Sequence, residues 1–347
     1  MSSYTKYDTL VLIGRFQPVT VAHEELIRRA GVEASHVLVI VGSANQPRTF
    51  KNPWSSAERA QMLTDTIEGI LSDDTFDFDY TIEHNPDTIY NNQAWATRVQ
   101  QIVAKHTESD DVVGIIGHKK DESSFYLDMF PQWELVEAAL IEPLNATDVR
   151  DTYFRKGANL RFVDGVVPAP VFQFLKEFMN TEDYQQIIRE REFVESYKKQ
   201  FASLPYPPIF VTTDAVVIQS GHVLMIKRKA EPGKGLWALP GGFVNANTDA
   251  SVQDAAIREL REETGIKVPA PVLVGSIQNN HVFDAINRST RGRTITHAFH
   301  IVLPDGPLPK VKGMDDAEKA KWIPIGTLNP STVYEDHFDI ISHFVGV

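Results

Sequence analysis

Along the first 130 residues, short apolar runs alternate with longer amphipathic stretches: Thr9–Ile13 then 22–33, His36–Val41 then 55–70, Phe78–Glu83 then 91–105, Val112–Gly117 then 121–130. Repeated strand-then-helix alternation predicts parallel βαβ units with a sheet covered on both faces. Ligands of such sheets bind at the carboxyl ends of the strands. The stretch 14–23, between the first predicted strand and its helix, is a long loop at that edge. A charged helical stretch at about 181–203 is stopped by Leu204-Pro205-Tyr206-Pro207-Pro208, because proline lacks an amide N–H and its ring clashes with the preceding turn. This cluster is the best linker candidate. Beyond it the pattern changes. Ile209–Gln219 and His222–Lys227 flank Ser220-Gly221 as a predicted hairpin, 251–264 has helical spacing, and Val272–Ile277 and Ile295–Leu303 are predicted strands. That mixture predicts an α+β domain, and the chain carries no internal repeat or low-complexity segment.

Composition narrows the class. A chain of 347 residues exceeds a typical single core, so about two domains are expected. Hydrophobic residues make up 42% and charged residues 23%, ordinary globular values, and no apolar run approaches the roughly 20 residues that cross a bilayer. The first residues lack a signal-peptide pattern, and the absence of cysteine excludes disulfides and thiolate metal sites. A cytoplasmic protein is expected. The net charge of −12 disfavours nucleic acid and anionic membranes as partners, since both are held mainly by Lys and Arg. Small phosphorylated ligands remain, through local basic pockets, and a homo-oligomer stays open.

The N-terminal loop Gly14-Arg15-Phe16-Gln17-Pro18-Val19-Thr20-Val21-Ala22-His23 sets an Arg beside a strand end and a hydroxyl and imidazole three residues apart at a helix start. Helix N-termini bind anions, so the pair is suited to phosphate oxygens. The string resembles the (H/T)xGH signature of the nucleotidyltransferase α/β-phosphodiesterase superfamily, and its GRFQP portion resembles the archaeal-type nicotinamide mononucleotide (NMN) adenylyltransferases. Thr20 stands where that branch usually has His, and Ala22 where Gly is usual. Near the end of the predicted domain, Leu144-Asn145-Ala146-Thr147-Asp148-Val149-Arg150 resembles the superfamily's ISxTxxR run, with Asn145 replacing Ser. Gly42-Ser43-Ala44, Lys51-Asn52-Pro53-Trp54 and Glu58-Arg59 resemble the segment whose Arg contacts the nucleotides. Asn92 and Trp95 resemble the pair holding nicotinamide, where an indole face suits a pyridinium cation. Gly117-His118-Lys119-Lys120-Asp121 follows another strand end, either as pocket lining or as a solvated charge run. The resemblance implies ATP as substrate, a Rossmann-like parallel-sheet domain, catalysis by His23, Thr20, Arg15 and Arg150 with Mg²⁺, and substrate contacts from Gly14, Phe16, Arg59, Asn92, Trp95, His118 and Thr147.

In the C-terminal half, Glu259, Glu262 and Glu263 have i, i+3, i+4 spacing, which places three carboxylates on one helical face, and Gly265 ends that helix. Such stacking favours a divalent cation with oxygen ligands. With Leu236-Trp237-Ala238-Leu239-Pro240-Gly241-Gly242-Phe243-Val244 upstream, the run Arg258–Ile266 resembles the Nudix hydrolase signature, G-x5-E-x7-REUxEE-x-GU with U aliphatic. Asn245-Ala246-Asn247-Thr248-Asp249 makes the intervening loop about two residues longer and leaves out the usual Glu, so altered loop stability is expected ahead of lost chemistry. The resemblance implies Mg²⁺, with Mn²⁺ as an alternative, on Glu259, Glu262, Glu263 and the Gly241 carbonyl. The segment 283–293, with Arg288, Arg291 and Arg293, resembles the R-x-x-RGR segment of ADP-ribose pyrophosphatases, and substrate contact is also assigned to Arg228. Asp315-Asp316-Ala317-Glu318 resembles the family's acidic tail.

The combined expectation is an N-terminal NMN adenylyltransferase at 1–185, a helical linker at 186–206 and a C-terminal α+β Nudix domain at 207–347, its mixed sheet sandwiched by helices. The second domain would hydrolyse ADP-ribose to AMP and ribose 5-phosphate. Its rival is a non-catalytic ADP-ribose sensor, and the first domain's rival acceptors are nicotinic acid mononucleotide or a phosphopantetheine-like molecule.

Overall fold

The computed structural model describes residues 5–119, 122–138 and 145–346. Lys120, Asp121 and Leu144 of the motifs above, and the first four residues, lie outside that set. The chain divides into two compact units, Met1–Ile188 and Arg189–Val347.

In the first unit, β1 (Tyr7–Gly14), α1 (Val21–Glu33), β2 (Ala34–Val41), α2 (Ser56–Leu71), β3 (Asp79–His84), α3 (Asn92–Ala104), β4 (Val113–Gly117), β5 (Glu134–Glu137), α4 (Ala146–Tyr153), α5 (Ala169–Phe178) and α6 (Glu182–Lys199) follow in order. The strands form one sheet, β3-β2-β1-β4-β5, parallel throughout. Because successive strand residues point to opposite faces, the run Leu10-Val11-Leu12-Ile13 feeds two cores. Leu10 and Leu12 pack with Leu26, Ile27, Met62 and Leu63, whereas Val11 and Ile13 pack with Val99, Ile102 and Val103. Double burial explains why the strand is a continuous apolar run. Where a helix was expected at 121–130, residues Glu122–Met129 form a 3₁₀ stretch instead. Helix α6 continues past the division at Ile188.

In the second unit, β6 (Phe210–Gln219), β7 (His222–Arg228), β8 (Trp237–Ala238), β9 (Gly241–Phe243), α7 (Val252–Thr264), α8 (Ala270–Gly275), β10 (Ile277–Phe283), β11 (Thr294–Val302), β12 (Ala317–Pro324) and α9 (His337–Val345) follow. The sheet runs β10-β11-β6-β7-β12, with β8 on β7 and β9 on β6. It is mixed: β11 and β6 are parallel and the other pairs antiparallel. Ser220 and Gly221 both adopt positive φ, as a two-residue turn matching strand twist requires. The expected strand at Val272–Ile277 is a correction. Residues Ala270–Gly275 are helical and the strand begins only at Ile277. Pro269 and Pro271 open that segment with φ pre-set for a first helical turn, and this outweighs the β-branched valines. Helix α7 buries Ala256, Ile257 and Leu260 against Ala215, Val217 and Phe299, which turns its carboxylate face toward β9. Among the described residues no helix is long and apolar enough to cross a membrane.

Candidate active sites

The first site lies at the carboxyl end of β1. Gly14 leaves room for the Phe16 ring, since a Cβ on it would stand 2.8 Å from the ring edge. Thr20 is the N-cap of α1 and forms a reciprocal capping box with His23. The Thr20 amide donates to His23 Nδ1 at 3.0 Å, and Thr20 Oγ1 lies 2.9 Å from the same nitrogen. An amide N–H can only donate, so Nδ1 accepts and the neutral ring carries its proton on Nε2. The replacement at Thr20 therefore helps to fix the imidazole's tautomer.

Three arginines gather behind this loop. Arg15 donates to the Lys51 carbonyl (3.0 Å) and to Asn52 Oδ1 (2.5 Å). Arg150 donates to the Gln17 carbonyl at 2.5 Å and to Thr147 Oγ1 at 3.0 Å. Arg59 is 1% exposed and donates to four carbonyls, those of Arg15, Gly42, Ser43 and Ser55. It was expected to contact nucleotide, but four of its five N–H donors go to the loops after β1 and β2, so it stands under the site as a strut. Burial, reinforced by the charge of Arg15, lowers the pKa of both Arg59 and Arg150 to about 10, so both stay cationic at neutral pH. Asn145 accepts from the amides of Thr147 and Asp148 as the N-cap of α4. Its exchange for Ser keeps the cap, because both residue types rank high there.

At the flanks, Asn92 is exposed in the first turn of α3, and half-buried Trp95 sets its ring 6.3 Å from Tyr126 and 6.0 Å from Phe130. His118 Nδ1 lies 2.9 Å from the Ala138 carbonyl, so it donates, and Nε2 is a buried acceptor with no partner among the described residues. Sequence reasoning passed over Gln17. Its amide both donates to the Trp54 carbonyl (3.1 Å) and accepts from the Trp54 amide (3.2 Å), pinning the loop to the segment before α2. Its place inside GRFQP was the available signal.

The second site lies where β9 meets α7. Ser251 caps the helix by accepting from the Asp254 amide, and Gly265 ends it at φ 57°, where only glycine is unstrained. Glu263 is 5% exposed and accepts the Gly241 amide at 2.9 Å. Burial pushes its carboxyl up to about 8 despite that hydrogen bond. Burial also raises Glu259, with Arg258 opposing and Glu262 and Asp315 adding repulsion. Gly241 has no room for a side chain, since a Cβ there would meet the Thr213 carbonyl at 2.1 Å, and a Cβ on Gly242 would meet Glu259 Oε1 at 2.5 Å and push that carboxylate aside.

Arg258 organises the rest. It holds Asp249 through two bonds of 2.8 Å, Glu259 at 2.8 Å and Glu262 at 3.0 Å. Asp249 thus supplies the loop-supporting carboxylate that seemed missing, and Arg258 with the Asn245 amide pulls its pKa down to about 2. The signature's spacing reaches Thr248 from Gly242 and Ala250 from Arg258, so Asp249 lies one residue off either count. Among the described residues no three His, Asp or Glu groups converge as a ready metal cage, because Glu259 and Glu262 turn to Arg258. The donor chemistry nonetheless fits a hard divalent cation: oxygen ligands alone, on adjacent turns, with no side chain on the facing diglycine.

The four expected substrate arginines separate. Arg288 is a correction, since it is 6% exposed and bound through two bonds of 2.8 Å to Asp336, itself wholly buried. A guanidinium so committed braces the segment before α9. Arg293 bonds Asp284. Arg291 lies over the half-exposed ring of Phe243 (4.9 Å) with Nε unpartnered among the described residues, and Arg228 lies over Tyr334 (4.1 Å) and also attracts Glu263.

Two phosphate-oriented sites on two independently cored units define a nucleotide-handling protein with a transfer half and a metal-hydrolase half. Comparison with known proteins resolves each. Residues 11–151 match the cytidylyltransferase-like family and residues 209–344 match the NUDIX domain. The chain is 37% identical to the nicotinamide/nicotinic acid mononucleotide adenylyltransferase of Acinetobacter baylyi over 52% of its length and 92% of that protein. It is 32% identical to the ADP-ribose pyrophosphatase of Methanocaldococcus jannaschii over 46% of its length and 83% of that protein. A crystal structure of a bifunctional NMN adenylyltransferase/ADP ribose pyrophosphatase from Francisella tularensis, complexed with AMP and a manganese ion, matches with TM-score 0.86 and 34% identity, covering 98% of this chain and 99% of that one. The chain belongs to the family that joins a cytidylyltransferase-like NMN adenylyltransferase domain to a NUDIX ADP-ribose pyrophosphatase domain.

Proposed function

We propose that the chain makes NAD in its N-terminal unit and degrades ADP-ribose in its C-terminal unit. It is a bifunctional enzyme of NAD metabolism. What carries this reading is one chain holding both His23 at a helix N-terminus backed by arginines and Glu263 bonded to the amide of Gly241, which has no room for a side chain. The proposed division of labour follows residues 1–185 and 207–347, with 186–206 between them.

In the first reaction an oxygen of the NMN phosphate attacks the α-phosphorus of ATP, and the bond from that phosphorus to the bridging oxygen of pyrophosphate breaks. No protein nucleophile is needed, because positioning and charge stabilisation account for transfers of this kind. His23 Nε2–H would donate to a phosphate oxygen as charge grows, with Thr20 holding the ring. Arg15 and Arg150 add positive charge, and Arg59 keeps the two loops in register. Trp95 and Asn92 would take the nicotinamide, with NMN as the preferred acceptor and nicotinic acid mononucleotide as the alternative. In the second reaction water attacks one phosphorus of the ADP-ribose diphosphate, and the bridging P–O bond breaks to give AMP and ribose 5-phosphate. Glu259, Glu262, Glu263 and the Gly241 carbonyl would hold the divalent cation, which supplies charge neutralisation and an acidified water when bound. Arg291 and Arg228 would face the substrate. Mg²⁺ is the proposed physiological ion at both sites, with Mn²⁺ able to replace it, and at the first site it enters with the ATP phosphates.

The test is a product assay on the intact protein with ATP plus NMN or its acid analogue, run beside ADP-ribose with either metal. NAD with pyrophosphate, and AMP with ribose 5-phosphate, are the expected products. Tight ADP-ribose binding without AMP release would instead make the second unit a sensor.

A further inference from the structure

The buried polar groups beneath the diglycine form a connected structure that the chemistry above does not use. His337, the first residue of α9, is 7% exposed, and its Nδ1 accepts the Leu239 amide at 2.9 Å. Since that amide can only donate, the neutral ring carries its proton on Nε2. Nε2 faces Asp214 Oδ1 at 3.9 Å, and Asp214 Oδ2 accepts from Thr296 Oγ1 at 2.6 Å. Asp214 pairs with Gly241 through the strand ladder, and the Ala215 amide donates to the Pro240 carbonyl at 2.8 Å. The next residue back from His337, Asp336, is held by Arg288, and the Tyr334 ring stands edge-on to the imidazole at 5.5 Å. The imidazole is therefore held by a hydrogen bond at Nδ1, a carboxylate facing Nε2 and an aromatic ring packed edge-on against it.

What this fixed ring holds is the segment Leu239-Pro240-Gly241. Two residues beyond the amide that His337 accepts, the Gly241 amide donates to Glu263. We propose that His337 is a positioning residue for hydrolysis, which holds the Leu239–Gly241 segment at the height that orients the Glu263 carboxylate and the Gly241 carbonyl. The proposal rests on the pyrophosphatase reading of this site. A ring that merely filled core space would need no acceptor at Nδ1 and no carboxylate opposite Nε2. The alternative of direct substrate contact is removed by the burial of His337.

The experiment compares His337→Ala and His337→Asn with wild type in the intact protein, measuring ADP-ribose turnover across an Mn²⁺ titration and NAD synthesis in the same preparations. Asparagine is the conservative variant, because its Oδ1 occupies nearly the position of Nδ1 and can accept the Leu239 amide. His337→Ala is expected to lower kcat at least about tenfold and to raise the Mn²⁺ needed for half-maximal rate, with KM for ADP-ribose little changed. His337→Asn is expected to regain most of both, and NAD synthesis to stay at wild-type level in each. Wild-type kcat and metal requirement in His337→Ala would overturn the proposal. So would a soluble His337→Asn with kcat lowered tenfold or more, which also decides the matter if the alanine variant fails to fold. No AMP from wild type would overturn the pyrophosphatase reading and this proposal with it, whereas normal turnover by His337→Ala overturns the proposal alone.

Discussion

Two glycines and one arginine set the second site's side chains. Gly241 and Gly242 face backbone and carboxylate so closely that any Cβ displaces something, and at Gly242 the displaced group is Glu259. Gly242→Ala is expected to slow ADP-ribose hydrolysis about tenfold or more, a loss of about 1.4 kcal/mol of transition-state stabilisation, while NAD synthesis in the same preparation is unchanged. An unchanged hydrolysis rate would mean that Glu259 swings aside without consequence. At this scale the sequence was legible wherever chemistry is local: Glu259, Glu262 and Glu263 share one helical face, and Thr20 and His23 share one cap. It was less legible where a charge chooses its partner in space. Three arginines in one short segment looked alike, yet Arg288 turns inward to Asp336, and Arg291 alone of the three keeps a buried unpartnered nitrogen. Asp249 was hidden by a loop of altered length, because spacing counted from Gly242 no longer reached the carboxylate that Arg258 grips.

At the level of elements, the sites depend on ties between strand ends. Arg59 on α2 holds the loops after β1 and β2 together through the carbonyls of Arg15, Gly42 and Ser43. Arg59→Ala leaves buried acceptors without donors, each costing about 1–3 kcal/mol. The variant should melt earlier by calorimetry and lose NAD synthesis, and Arg59→Lys should not restore it, since one ammonium cannot reproduce a guanidinium's spread of donors. A melting point equal to wild type would remove the strut. His36 on β2 ties its neighbours similarly, with ring nitrogens 3.2 Å from Thr9 Oγ1 on β1 and 3.0 Å from Thr81 Oγ1 on β3. Burial holds its pKa below 6.5, with His106 adding repulsion and Asp79 opposing. Between that lowered value and 6.5 the unfolded chain binds the extra proton, so this contribution is full above pH 6.5 and is lost as pH falls below it. Urea midpoints measured down from pH 7.5 should therefore fall less steeply for His36→Gln than for wild type; parallel profiles would exclude the effect. The βα alternation and the hairpin turn were legible because periodicity and turn chemistry agreed. The Val272–Ile277 segment was not, since its valines favour a strand while Pro269 and Pro271 start a helical turn, and only the pairing of β10 with β11 decides between them.

For the whole molecule, each unit has its own sheet, core and site, and the residues of one site lie in one unit. The central claim is that one chain runs two unrelated phosphate chemistries, each supported by its own residues. The most direct measurement assays NAD synthesis and ADP-ribose hydrolysis side by side on wild type, His23→Ala and Glu263→Gln. In Glu263→Gln the side chain can still accept the Gly241 amide but can no longer ionise to face a cation, so hydrolysis should vanish while NAD synthesis persists. In His23→Ala, NAD synthesis should drop roughly a hundredfold, equivalent to about 3 kcal/mol, while hydrolysis persists. Equal loss of both activities in either variant, or full NAD synthesis by His23→Ala, would contradict the account.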